Sequence, residues 1–160
     1  MSYPTEPTEK GIKDVKEWIA SVVPDAEVKV DKYGVAWVDV PLEKLKETLK
    51  TLHEKGYTHI TTISGVDLIN EGKMALIYHL IPYEIDGHPI LCVRTYLPRD
   101  NPVAPSIVDI YNAALVYERE VYDLLGIKFE GHPSLSRILL PKDLPEGYHP
   151  LRKDFKEKGE

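Results

Sequence analysis

The chain has 160 residues, 42% of them hydrophobic and 29% charged, which is enough for one globular domain with a real core. A net charge of −6 leaves no basic excess with which to hold nucleic acid. The longest apolar runs, such as MALIYHLIPY, are about half as long as a membrane helix needs, and the start MSYPTEPTEK lacks the basic and apolar regions of a secretory signal.

Taken in chain order, residues 1–9 read as a flexible polar tail. From Lys10 to Val23 the apolar positions Ile12, Val15, Ile19 and Val22 recur at helical spacing, and Pro24 closes the run. EVKV (27–30) and GVAWVDV (34–40) alternate on either side of Asp31–Gly34 and predict a hairpin. Pro41 opens a second helix with the stripe Leu42, Leu45, Leu49 and Leu52, stopped by Gly56. YTHITTIS (57–64) predicts a strand. MALIYHLIPY (74–83) and HPILCVRTYLP (88–98) predict a second hairpin about Asp86-Gly87.

The third helix has the clearest start signal. Ser106 follows Pro105 and stands three residues before Asp109, as in a capping box, and the helix is expected to run to Leu125 with Gly126 as its stop. On that wheel Ile110, Ala113, Ala114, Tyr117, Val121, Leu124 and Leu125 form the expected core stripe. Tyr111, Leu115 and Tyr122 fall beside Glu118, as a second face open to a partner. Residues 10–126 therefore read as an α+β domain, a mixed, mostly antiparallel sheet with helices packed on it. Residues 127–160, punctuated by Pro133, Pro141, Pro145 and Pro150, read as an extended Pro-rich C-terminal interaction arm. Truncation after Leu140 is expected to weaken assembly more than it lowers the domain's melting temperature.

Catalytic patterns are sparse. Glu118 and Glu120 project about 160° apart on a helix, because each residue advances about 100°, so they do not share a pocket. Arg119 and Asp123 are spaced for a same-face ion pair. The six histidines, His53, His59, His79, His88, His132 and His149, contain no His-x-x-x-His pair of the kind a zinc site uses. Cys92, the single cysteine, lies in an apolar run and reads as a buried thiol, and an iron–sulfur cluster normally needs four. Phosphate-loop, dinucleotide and nucleophile-elbow motifs are absent. There is no glutamine and only three asparagines, while Lys and Glu are abundant, a pattern typical of thermophiles. The residues alone reach a binding or assembly component, with a stand-alone metal-dependent enzyme as the competing class.

The string Glu118-Arg-Glu-Val-Tyr-Asp-Leu-Leu-Gly-Ile127, continued by Phe129-Glu-Gly-His-Pro133, Arg137-Ile-Leu-Leu140 and His149-Pro-Leu-Arg-Lys-Asp-Phe155, resembles the 30 kDa subunit family of respiratory complex I, the NADH:quinone oxidoreductase. The likeness extends upstream through Pro105-Ser106, Tyr78-His-Leu80 and Ile63-Ser-Gly-Val-Asp67. It marks Glu118, Arg119, Glu120, Tyr122, Asp123, Gly126, Gly131, His132, Pro133, Arg137, His149, Pro150, Arg152 and Asp154 as family signature residues with structural and interface roles. Ser134 and Ser136 depart from the pattern, standing where an acid and a base are common.

The resemblance implies a non-catalytic soluble scaffold subunit of a complex I-like membrane-bound oxidoreductase, with no catalytic, cofactor or metal residues of its own. Its implied partners are a hydrogenase-like large subunit and the small iron–sulfur subunit, which would carry the iron–sulfur clusters and any NiFe centre. The implied location is the cytoplasmic side of the membrane, reached only through partner subunits. Within the family, the short chain and thermophile-like composition point to an energy-converting membrane-bound hydrogenase or a ferredoxin-dependent sulfur-reducing relative. An NADH or deazaflavin:quinone dehydrogenase is the alternative.

Overall fold

The computed structural model describes residues 6–157. Most of the expected tail, residues 1–5, and the last three residues of the arm lie outside the described residues. The chain forms two compact units, one from the chain up to Thr62 together with Ile77–Thr95, the other from Ile63–Leu76 and the chain from Tyr96 onward.

In the first unit, helix α1 (Glu9–Ala20) starts at Thr8, whose hydroxyl accepts the Gly11 N–H at 3.0 Å and donates to the Gly87 carbonyl at 3.2 Å. Gly11 faces that carbonyl so closely that a Cβ would sit 1.9 Å from it. Strands β1 (Val28–Val30) and β2 (Ala36–Asp39) form the expected antiparallel hairpin. Asp31 ties its turn by accepting the N–H groups of Tyr33 and Val35 and the Trp37 indole N–H. A single 3₁₀ turn at Leu42–Lys44 leads into α2 (Leu45–Glu54).

Strands β3 (His59–Leu68), β4 (Lys73–Ile81) and β5 (Leu91–Pro98) complete a five-stranded sheet of order β1-β2-β5-β4-β3. The β2–β5 seam is parallel, with Ala36 opposite Leu91 and Asp39 opposite Arg94. The architecture is α+β on a mixed, mostly antiparallel sheet. Val15 and Ile19 of α1, and Leu45, Leu49 and Leu52 of α2, are buried, as are Ala36, Val38, Tyr78, Leu80, Leu91 and Val93 on alternate strand positions. The intervening positions carry side chains satisfied across strands, where Arg94 chelates Asp39 at 2.6 and 3.1 Å and lies over Trp37. Pairing of this kind lets a sheet face meet water without a helix over it.

In the second unit, a short parallel pair, β6 (Val103–Pro105) with β7 (Lys128–Glu130), flanks helix α3 (Ala114–Leu125). The sequence signalled neither strand. It also placed the start of α3 at Ser106, whereas residues 107–113 are turns and the helix begins at Ala114. The buried stripe shifts accordingly to Ala114, Glu118, Val121 and Leu125, with Tyr111 also buried, while Ala113 is exposed and Tyr117 half-buried. The face expected to await a partner at Tyr111 and Glu118 is thus filled by this chain. The reason is Glu118, whose carboxylate reaches back to the segment before the helix and fixes it in turns.

Candidate functional site

The signature residues gather around α3. Glu118 is fully buried, and its carboxylate accepts the Ser106 hydroxyl and the Ile107 N–H, each at 2.8 Å. Ser106 therefore does not cap α3, whose start at Ala113 has no side-chain cap; it holds the preceding segment to an acid within the helix. Asp109, the expected acid of the box, is exposed.

Asp123 lies on the other side, also fully buried. One oxygen receives the Arg137 guanidinium at 2.6 Å, and the other accepts three consecutive backbone N–H groups, from Ile138, Leu139 and Leu140, at 3.1, 2.9 and 2.8 Å. Burial pushes this carboxyl up, but the N–H donors and Arg137 outweigh it and hold the group below the usual carboxylate range. The expected Arg119–Asp123 pair does not form. Asp123 is already saturated, and Arg119 turns to Ser136 Oγ at 2.9 Å and to the carbonyls of Ser136 and Arg137. Ser136 is here an acceptor for Arg119.

A helix leaves its last four carbonyls without partners. In α3 all four are satisfied. Gly126, at φ +78°, donates its N–H to the Tyr122 carbonyl, the single bond of an αL close. His149 Nδ1 donates to Asp123 O at 3.0 Å, Leu151 N–H to Leu124 O at 3.0 Å, and Arg152 Nε to Leu125 O at 2.7 Å. Three of the four caps thus come from the arm. Arg137 and Arg152 also bring positive charge to the negative end of the helix dipole. The His149 ring sits edge-on to Tyr122 and so tightly under Gly126 that a Cβ there would lie 2.6 Å from it. Burial, with Arg137 and Arg152 nearby, holds the His149 imidazole below its usual value despite the opposing Asp123 carbonyl.

The Gly131-His132-Pro133 turn is fastened separately. His132 Nε2 donates to Leu115 O at 3.0 Å, while its Nδ1 accepts the Ser134 N–H at 3.0 Å, which fixes the Nε2–H tautomer. Asp154 is exposed and binds Arg99, which chelates the buried Asp67 at 2.7 and 2.9 Å. Asp67 also accepts the Lys153 N–H at 2.8 Å. Arg99 chiefly, and then Lys153, hold the Asp67 carboxyl below the usual range against the effect of burial. Sequence reasoning missed Arg99 and Asp67 as site residues; the run Ile63–Asp67 was the one signal that pointed toward them. Pro150 sits between two of the caps. Glu120 stands apart, half-buried, and makes no hydrogen bond or ion pair with any described residue.

Chemically, the arrangement clamps backbone. No group of three or more His, Cys, Asp or Glu among the described residues is placed to hold a metal. Cys92 is buried, 3.4 Å from His79 Nδ1, and burial pushes its thiol up to about 11, the opposite of an activated nucleophile. No helix among the described residues is long and apolar enough to cross a membrane.

Residues 38–160 match the family described as respiratory-chain NADH dehydrogenase, 30 Kd subunit. An NADH-quinone oxidoreductase subunit of Moorella thermoacetica is 38% identical over 134 residues, covering 83% of this chain and 87% of that one. NADH-quinone oxidoreductase subunit 5 of Thermus thermophilus is 40% identical over 131 residues, 76% of this chain but 62% of that protein, so this chain spans less than two thirds of its length. Among solved structures, a chain of the membrane-bound sulfane sulfur reductase, an archaeal respiratory membrane complex, superposes with a TM-score of 0.80 at 35% identity, covering 92% of this chain and 86% of that one.

Proposed function

Because the chain belongs to the family of the 30 kDa subunit of respiratory-chain NADH dehydrogenase, we propose that it is a non-catalytic scaffold subunit of a complex I-like membrane-bound oxidoreductase. The observation that carries the reading is the use of the signature charges. Glu118, Arg119, Asp123, Arg137 and Arg152 are all engaged in binding this chain's own backbone or hydroxyl groups. What they produce is a stiffened surface of α3 and arm, which suits a subunit that holds others in place.

Its partners in this reading are a hydrogenase-like large subunit and the small iron–sulfur subunit, and the electron-carrying clusters belong to them. The chain reaches the cytoplasmic side of the membrane through those partners. Likeness to the archaeal sulfur reductase over 92% of the chain favours a ferredoxin-dependent sulfur-reducing or hydrogen-evolving complex coupled to ion translocation. The NADH-quinone oxidoreductase relatives favour a quinone reductase as the second reading. Affinity purification of the tagged chain from detergent-solubilised membranes tests the proposal. Recovery with a large subunit and iron–sulfur protein is expected. A chain recovered alone, turning over a substrate by itself, overturns it.

A further inference from the structure

We propose that a groove between α3 and β3 is the seat for an arginine side chain of the large partner subunit; the inference rests on the scaffold reading above and names the surface that reading requires. Ile63, Glu120, Val121, Leu124, Leu125 and Leu151, with the small residues Ser64 and Gly65, line a groove of about 220 Å³. Five of these are aliphatic and Glu120 is the only charge.

The walls are held by bonds already described. Leu151 is pinned to the end of α3 by its N–H bond to Leu124 O. Gly65, which has no Cβ, lets the Leu125 side chain approach β3 closely, since a Cβ there would lie 2.4 Å from it. The seat is therefore formed before anything enters it, which lowers the ordering cost of binding. Leu151 remains 55% exposed, and Leu124 and Glu120 half-buried.

Glu120 separates from its neighbours in the signature at this point. Glu118, Arg119, Asp123 and Arg137 are engaged within the chain, whereas Glu120 has no partner among the described residues. A lone carboxylate beside an aliphatic wall complements one kind of side chain, a methylene stem with a cationic head. The stem lies on Leu124, Leu151 and Ile63 and the head meets Glu120. Arginine fits better than lysine, because its guanidinium is less strongly hydrated and grips a carboxylate with two parallel N–H groups.

The test uses the assembled complex. Tagged chains carrying Glu120→Gln, Glu120→Arg or Leu151→Ser are expressed in the native host, and the large subunit each retains is measured across a salt series. Glu120→Gln is expected to weaken retention at least about tenfold and Glu120→Arg further, as for loss of a charge-assisted bond. Chain level and protease resistance should stay at the wild-type value, since Glu120 has no internal partner to lose. A photo-cross-linking residue at position 151 should label a large-subunit peptide containing arginine. Undiminished retention by Glu120→Arg overturns the groove and leaves the scaffold reading standing. So does an intact complex whose position 151 cross-links to nothing, or to a peptide without a basic residue. A wild-type chain that retains no large subunit overturns the scaffold reading and the groove with it.

Discussion

Asp123 and Arg137 meet at 2.6 Å with the aspartate fully buried and the arginine nearly so, and the same carboxylate gathers the N–H groups of the three residues that follow the arginine. Asp123→Ala leaves a buried guanidinium and three amides without their acceptor, so a loss of about 3–5 kcal/mol is expected in chemical denaturation. Replacing both partners by apolar residues, as in Asp123→Leu with Arg137→Met, often rescues a simple buried ion pair. Here it should not, because the three amides still need an acceptor. A double variant as stable as the wild type would show that the amides contribute little.

The pH dependence follows from the same groups. The Asp123 and Asp67 carboxyls are held below their ordinary value of 3.8, so the folded state binds fewer protons there than the unfolded chain. Their stabilisation is complete above that ordinary value and is lost as pH falls through the lower folded-state values. His149 is also depressed, from 6.5, so its contribution is full above that value and weakens as the ring is protonated in mildly acidic solution. Amide hydrogen exchange at Ile138, Leu139, Leu140 and Leu151 is the readout. Protection at Leu151, measured against the intrinsic exchange rate at each pH, should fall first as His149 is protonated, with the other three holding until strongly acidic conditions. In a His149→Asn variant the first step should vanish.

Two glycines are fixed by contact. A Cβ at Gly11 would meet the Gly87 carbonyl at 1.9 Å, and one at Gly126 would meet His149 on a backbone already at φ +78°. Gly11→Ala must displace main chain, and a loss of about 1–3 kcal/mol is expected. Gly126→Ala should cost a similar amount and also accelerate exchange at Leu151, because His149 and Leu151 cap the same helix end. Thermal denaturation of both variants, with exchange on the second, checks this.

The local elements were legible because their signals lie within one helix or hairpin. The stripe Val15–Ile19, the stripe Leu45–Leu49–Leu52 and the alternation about Asp31 each need only neighbours to be read. The start of α3 was not, since it has no side-chain cap and Ser106 is instead held by Glu118, 12 residues on and inside the helix. Arg99 was missed for a like reason, as its partners stand 32 and 55 residues away and leave no periodic trace. The signature string marked residues that the fold gathers into intrachain bonds around α3. Its neighbours Arg119 and Asp123 looked like a local pair because i,i+4 spacing invites one, and only the folded arm shows that each has a distant claimant.

That arm changes one expectation from sequence. Truncation after Leu140 removes His149, Leu151 and Arg152 from the end of α3 and Lys153 from Asp67. The loss should therefore appear in the chain's own melting temperature as well as in assembly. A shift of about 2–4 °C per kcal/mol lost is expected for a chain of 160 residues. An unchanged melting temperature would show that these caps are marginal.

The capping of α3 by residues about 25 positions downstream also sets an order of events during synthesis. When Leu125 leaves the ribosome, the groups that complete its last turn are still inside the exit tunnel. Leu124 and Leu125 keep open carbonyls until Leu151 and Arg152 emerge, and Asp123 has only Arg137 until His149 follows. The second unit thus closes only once residues 149–152 have emerged, and a nascent chain stalled before that point presents an unfinished helix to the chaperones that meet it.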